Sequence, residues 1–151
     1  MMQRFSAFGL LLAVVGIGIL SRANAIANSS LTVTVIELRN QQGQVCFSLF
    51  SDSKGFPSSS DRALESRCIN ARETPLAVTF SNLSPGSYAV AVIHDTNGDG
   101  TLNRGFLGIP KEGFGFSRNP RIFAGPPSFR GAAVLVEGQS TNIQIQLNYL
   151  L

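Results

Sequence analysis

From residue 31 onward, apolar and polar positions alternate in short bursts. The clearest burst is 141–148: Ile143, Ile145 and Leu147 fall on one side, and Asn142, Gln144, Gln146 and Asn148 on the other. A period of two is the mark of a strand with one buried face. Residues 31–38 are rich in β-branched side chains, with Leu31, Val33 and Val35 in one phase and Ile36 and Leu38 in the other. That change of phase predicts a bulge or a strand covered on both sides. Val45, Phe47 and Leu49 alternate with Cys46, Ser48 and Phe50, and Leu76, Val78 and Phe80 alternate with Ala77 and Thr79. Residues 88–93 are apolar on both faces, as a central strand would be. Residues 132–136 form one more short strand, with Gly138-Gln139 as the turn before the last one.

Turn residues separate these bursts. Positions 40–43 link the first two, and Ser84-Pro85-Gly86 suits a tight turn in which the glycine takes a positive φ. Residues 61–68 are the one helix candidate, with Asp61 as its cap. The sum is an all-β chain: a single Greek-key β-sandwich of about seven strands, immunoglobulin- or transthyretin-like.

One region breaks the rhythm. Residues 95–131 hold eight glycines and four prolines and show no strand pattern of useful length. They also hold Phe106, Leu107, Ile109, Phe114, Phe116, Ile122, Phe123 and Phe129, too many apolar side chains for a solvated tail. The expectation is a long ordered loop, pinned by its aromatics onto one end of the sandwich.

The densest chemistry opens that loop. In "HDTNGDGTLN" the side chains of Asp95, Asn97, Asp99, Thr101 and Asn103 fall at every second position, and Gly100 takes the sixth place. Ca²⁺ takes six to eight hard oxygens, and an arc of this kind can wrap one, with Thr101 giving its backbone carbonyl. The twelfth place of such a loop calls for a bidentate Glu, and Phe106 stands there. Glu112 is the carboxylate that could fold back to replace it. A strand rather than a helix leads in, so the stretch is not an EF-hand. The alternative is a metal-free turn, because Asn-Gly and Asp-Gly build turns from their own hydrogen bonds. A site with so few carboxylates would be weak, with dissociation constants of roughly 10⁻⁴–10⁻³ M.

Catalytic chemistry is sparse. His94 is the one histidine, and its side chain points away from that of its neighbour Asp95 on a strand. It reads as a residue that ties a loop down. His94, Asp95 and Glu112 are the acid/base candidates, and no nucleophile or zinc-protease motif is visible. The expectation is a non-catalytic module. The glycines of the Phe/Gly-rich segment 105–117 fit neither a dinucleotide fingerprint nor a phosphate loop. That segment offers instead an aromatic groove for a small ligand or peptide. The chain has no Trp, and Tyr88 and Tyr149 lie outside the segment, which argues against a sugar platform.

Composition adds the compartment. Arg4, the apolar run 8–20 and Ala23-Asn24-Ala25 read as a secretory signal peptide cut after Ala25, leaving a domain at 26–151. The run is short of the about 20 residues that span a bilayer, and no second run follows, so no transmembrane segment is expected in the mature chain. Removing Arg4 and Arg22 from the 12 bases leaves ten against 9 acids. A near-neutral domain without a basic cluster gives no electrostatic footing for nucleic acid. Cys46 and Cys68 are the two cysteines. In a secreted or periplasmic protein they predict a disulfide, the alternative being two buried thiols. The bridge would close a loop of roughly 20 residues and contribute about 3 kcal/mol.

Taken together, Leu83-Ser84-Pro85-Gly86-Ser87-Tyr88, the 94–100 stretch, 108–117 ("GIPKEGFGFS") and Pro127-Ser128-Phe129 resemble DUF2141, a secreted bacterial domain of unknown function. The resemblance covers most of residues 31–148. It implies an exported single domain related to transthyretin-like and carboxypeptidase-regulatory-like sandwiches, which are accessory or binding modules. It supplies no catalytic residues. Fold analogy of this kind carries little about function. The expected role is therefore a cell-envelope binding or structural module.

Overall fold

The structure, a computed structural model, describes residues 28–151. The leader and its cleavage point lie outside the described residues. Eight strands follow in order: β1 (Ser29–Ile36), β2 (Gln44–Phe50), β3 (Glu65–Asn70), β4 (Ala77–Leu83), β5 (Gly86–Asp95), β6 (Gly113–Phe116), β7 (Val134–Val136) and β8 (Ser140–Gln146). They form two packed sheets. One has the order β4-β1-β8, and the other the order β3-β2-β5-β6, with β7 paired to β5. The all-β sandwich expected from the alternation is the fold. Among the described residues, no helix is long and apolar enough to cross a membrane.

The alternation places the core. Leu31, Val33 and Val35 of β1, Val45, Phe47 and Leu49 of β2, and Tyr88, Val90 and Val92 of β5 pack between the sheets with Val78, Phe80, Ile145 and Leu147. β1 pairs β4 antiparallel and β8 parallel. On the outside of that sheet, Thr32 and Thr79 face each other with their hydroxyls 2.8 Å apart. The phase change at Ile36 and Leu38 is not a bulge within β1. The strand ends there, at Glu37, whose φ is 63°. The irregularity lies at the other end, where Ser29 and Leu31 face Leu83 and Phe80, and Asn82 takes a φ of 58° to absorb the extra residue. The Ser84-Pro85 turn is present, but Gly86 begins β5 without a positive φ.

Two expectations are corrected. Residues 61–68 are not a helix. A 3-10 turn, Ser60–Arg62, gives way to β3, an edge strand paired with β2 from Gln44↔Asn70 to Leu49↔Glu65. That pairing sets Cys46 opposite Cys68, and the disulfide joins them across the ladder. Helix propensity over so short a segment is too weak to compete with a full ladder and a covalent cross-link.

The stretch 95–131 is ordered but is not all loop. It contains β6 and a single helical turn, Phe129–Ala132, whose cap is Ser128. Nor does it only cap one end of the sandwich. From Asp95 the chain folds back over the outer face of the larger sheet, whose side chains Cys46, Ser48, Ala91 and Ile93 it covers.

β6 holds the two sheets together at a corner. Phe114 exchanges backbone hydrogen bonds with Asn148 at 3.0 and 2.8 Å, while Leu147 N–H still donates to Ile36. The chain thus leaves one sheet at Leu147 and joins the other at Asn148. The Gly/Phe alternation follows from this crossing. A Cβ at Gly115 would lie 2.6 Å from Ile145 Cγ2 and 2.7 Å from the Gln146 carbonyl, and one at Gly113 would enter the Tyr149 ring. Only glycine lets the backbones approach this closely. Phe114 and Phe116 point outward instead. There they pack with Phe50, Ala89, Ala91 and Ala132 in a second apolar cluster.

Candidate functional site

The outer face of β2 and β5 is built from small residues. Ala89 and Ala91 lie between Phe50 and the Phe114/Phe116 pair, and Phe56 crosses Phe50, Phe116 and Phe129 edge to face. These rings cover one half of the face. The other half is left as a groove of about 710 Å³, within the range of small-molecule sites. Its floor is the Cys46–Cys68 disulfide, Ser48, Ser66 and Ile93. Its walls are drawn from two stretches: Leu102, Leu107, Ile109 and Pro110 in the first, and Ile122, Phe123 and Pro126 in the second.

The first wall is a finger. Lys111 N–H donates to Asn103, Gly105 N–H donates to Ile109, and Arg104 bridges Pro110. The tip, Phe106–Gly108, is a 3-10 turn in which Leu107 takes a φ of 59°. Phe106, Leu107 and Phe123 are more than four-fifths exposed. The expectation that apolar side chains pin the excursion down holds for part of it. Phe114, Phe116, Ile122 and Phe129 do so, while the finger tip and Phe123 stand in solvent.

The carboxylates at the start of the excursion come together as the spacing suggested. Asp95 is fully buried. Its Oδ1 accepts from the N–H groups of Gly98 (2.8 Å) and Asp99 (3.1 Å), and its Oδ2 from Gly100 N–H (2.7 Å) and Gln44 Nε2 (2.7 Å). Gly98 and Gly100 reach this geometry through φ values of 76° and 78°. Glu112 does fold back: Oε1 accepts from Thr96 N–H and its hydroxyl, and Oε2 from Asn103 N–H. Asp99 is exposed. Its Oδ1 accepts from Thr101, and its Oδ2 from Asn97 Nδ2 and Asn103 Nδ2. The hydrogen bond from Asn103, then those from Thr101 and Asn97, hold the Asp99 carboxyl down at about 2. A carboxylate offers about four acceptor sites. Asp95 has four donors, so it has no free lone pair aimed at a cation. Asn103 Oδ1 is buried without a partner. Among the described residues, no three His, Cys, Asp or Glu side chains gather around one point.

His94 lies on the inner side of the same strand end and is fully buried. Its Nε2 is 2.8 Å from the Gln42 carbonyl, and its Nδ1 is 2.8 Å from Tyr149 Oη. The carbonyl can only accept, so Nε2 carries the proton and Nδ1 accepts from Tyr149. Tyr149 Oη in turn accepts from Arg39 N–H. Burial pushes the Tyr149 hydroxyl above its ordinary pKa, against the nearby Arg39. His94 thus ties the 40–43 turn and the C-terminal segment to β5.

The sequence pointed to a groove at 105–117, and Leu107, Ile109, Pro110, Phe114 and Phe116 of that segment do line this one. The rest of its lining comes from separate stretches between Cys46 and Leu150, and only the fold brings them together. The signal that could have pointed to it is the outer phase of 88–93, where alanines alternate with larger inward residues.

Two packed antiparallel-rich sheets, a cross-strand disulfide and an apolar groove on an outer face define an all-β sandwich domain. Residues 33–144 match the family described as "Uncharacterized protein conserved in bacteria (DUF2141)". The chain belongs to this family. No curated protein and no solved structure matches it.

Proposed function

We propose that this chain is a non-catalytic, exported binding module whose outer-face groove takes a small apolar ligand. The observation that carries this reading is the groove itself, with Leu107 and Phe123 standing exposed in its lining. Each such side chain is worth about 1.5–3 kcal/mol when fully covered, a gain that a ligand between the walls collects in part. The acid/base candidates support a non-catalytic role. His94 and Asp95 are fully buried, Glu112 nearly so, and each is held by hydrogen bonds to its own surroundings. A disulfide and an N-terminal leader pattern both suit a protein that works in the periplasm or outside the cell.

Nile red, an uncharged solvatochromic probe, tests the groove. Saturable binding with a blue shift is expected. Leu107→Ser with Phe123→Ser should weaken it about tenfold while circular dichroism stays unchanged. Binding that does not saturate, or that ignores the double substitution, rejects the reading.

The Asp95 loop we read as a hydrogen-bonded cap that needs no metal. Calcium is the alternative, and its one favourable sign is the unpartnered Asn103 Oδ1. Thermal melting with and without millimolar Ca²⁺ decides: an unchanged Tm is expected, and a clear rise would assign a cation to Asp95, Asn97, Asp99, Thr101, Asn103 and Glu112.

A further inference from the structure

The groove has one charged residue in its lining, Arg104. No carboxylate joins it. The remaining lining is aliphatic, aromatic or neutral polar, with Ser48, Ser60 and Ser66 beside the disulfide. Arg104 is exposed and also borders a small polar pocket with Asn97, Lys111 and Glu112; its backbone bridges Pro110 across the finger, and its Nη1 donates to the Gly108 carbonyl at 2.9 Å. That leaves guanidinium N–H groups with no protein acceptor at the edge of an apolar cavity.

Ion pairing within the chain does not use this charge. The ion pair among the described residues is Arg67–Glu65. The nearest acidic side chains are committed elsewhere, Asp99 to Asn97, Thr101 and Asn103, and Glu112 to Thr96 and Asn103. The excursion beyond Asp99 carries Arg104, Lys111, Arg118, Arg121 and Arg130 against Glu112 alone. The near-neutral whole hides this asymmetry. A guanidinium without a carboxylate partner beside apolar walls is complementary to an anion on an apolar stem, because it binds a carboxylate through two parallel N–H···O bonds.

We propose that the groove binds an amphipathic anion: an aliphatic chain lies between the Leu107 and Phe123 walls, and its carboxylate pairs with Arg104. This rests on the groove reading above and adds the head group.

Calorimetry with decanoate and 1-decanol, on the folded chain at neutral pH, tests it. The two probes share a stem and differ in the head. Decanoate should bind about tenfold tighter than decanol. Arg104→Gln should bring decanoate to the level of decanol and leave decanol unchanged. Equal binding of the two probes by the unsubstituted chain overturns the anion proposal and leaves the groove standing. So does a preference for decanoate that survives Arg104→Gln. Binding of neither probe overturns the groove reading as well. A chain that ignores both but sediments with phosphatidylglycerol vesicles, and not with phosphatidylcholine vesicles, has a membrane face in place of a ligand groove, and both readings fall.

Discussion

Inward, β5 carries Tyr88, Val90, Val92 and His94; outward it carries Ala89, Ala91, Ile93 and Asp95. The two rows are equally regular and most of their members are equally buried, but they are covered in different ways. The inner row meets another sheet, and bulky side chains fill the space between. The outer row meets loops and the Phe129–Ala132 turn, and its alanines leave room that Phe50, Phe114 and Phe116 fill in part. A strand covered by a sheet is closed along its length. A strand covered by an excursion is closed only where rings happen to reach, and the remainder is a groove. The open space here results from which residues are small.

The sharpest test of this difference is to enlarge one residue on each side. Gly115→Val pushes a side chain against Ile145 and the Gln146 carbonyl, where the sheets are stitched together. Overpacking that must move backbone should cost at least about 3 kcal/mol. Ser48→Thr, on the half-buried groove floor, adds one methyl and keeps the hydroxyl, and should cost less than about 1 kcal/mol. Urea unfolding of both variants measures the contrast. Equal costs would mean that the outer face is packed as tightly as the inner one.

The cross-link under the groove comes next. β3 is an edge strand whose Glu65, Ser66, Arg67 and Cys68 are largely solvent-facing, so little apolar burial holds it. The disulfide spans 22 residues, and replacing Cys46 and Cys68 with Ala should cost about 3 kcal/mol. Nile red binding should weaken with it, because the bridge and Ser66 form the floor. Loss of stability with binding intact would detach the groove from β3.

How far the sequence showed this depended on how each strand is covered. β1, β2, β4, β5 and β8 put branched or aromatic side chains inward, and a period of two marks them. β3 does not, because an edge strand buries too little to need apolar residues. β6 does alternate, but its inward residues are Gly113 and Gly115, which carry no apolar signal. Its meaning comes from Ile145, Gln146 and Tyr149, some 30 positions away in sequence and beside it in the fold. The cluster around Asp95 was legible because its spacing is local. Its use was not, since spacing does not show whether oxygens face a cation or backbone N–H groups.

The outer row ends in that cluster, where a buried and an exposed carboxylate share one loop. Asp95→Asn puts an amide N–H₂ against N–H donors in a fully buried site, and should cost about 2 kcal/mol. Asp99→Asn should leave the melting temperature close to that of the parent chain, since solvent can replace what it loses. A large loss at Asp99 would make the loop one cooperative unit.

The smallest effect is a titration. Hydrogen bonds from Asn103, Thr101 and Asn97 hold the Asp99 carboxyl at about 2, below the ordinary 3.8. A depressed carboxyl stabilises the fold above its unfolded value, and that stabilisation is lost as pH falls through its folded one. The window is therefore between about 4 and 2. Carboxyl chemical shifts should give Asp99 a midpoint near 2, and Asn103→Ala should raise it more than Thr101→Ala, because the bond from Asn103 is the largest cause. A midpoint near 3.8 would show that the exposed part of the loop is not held. The outer face would then have two open margins, the groove and the loop beside it, in place of one.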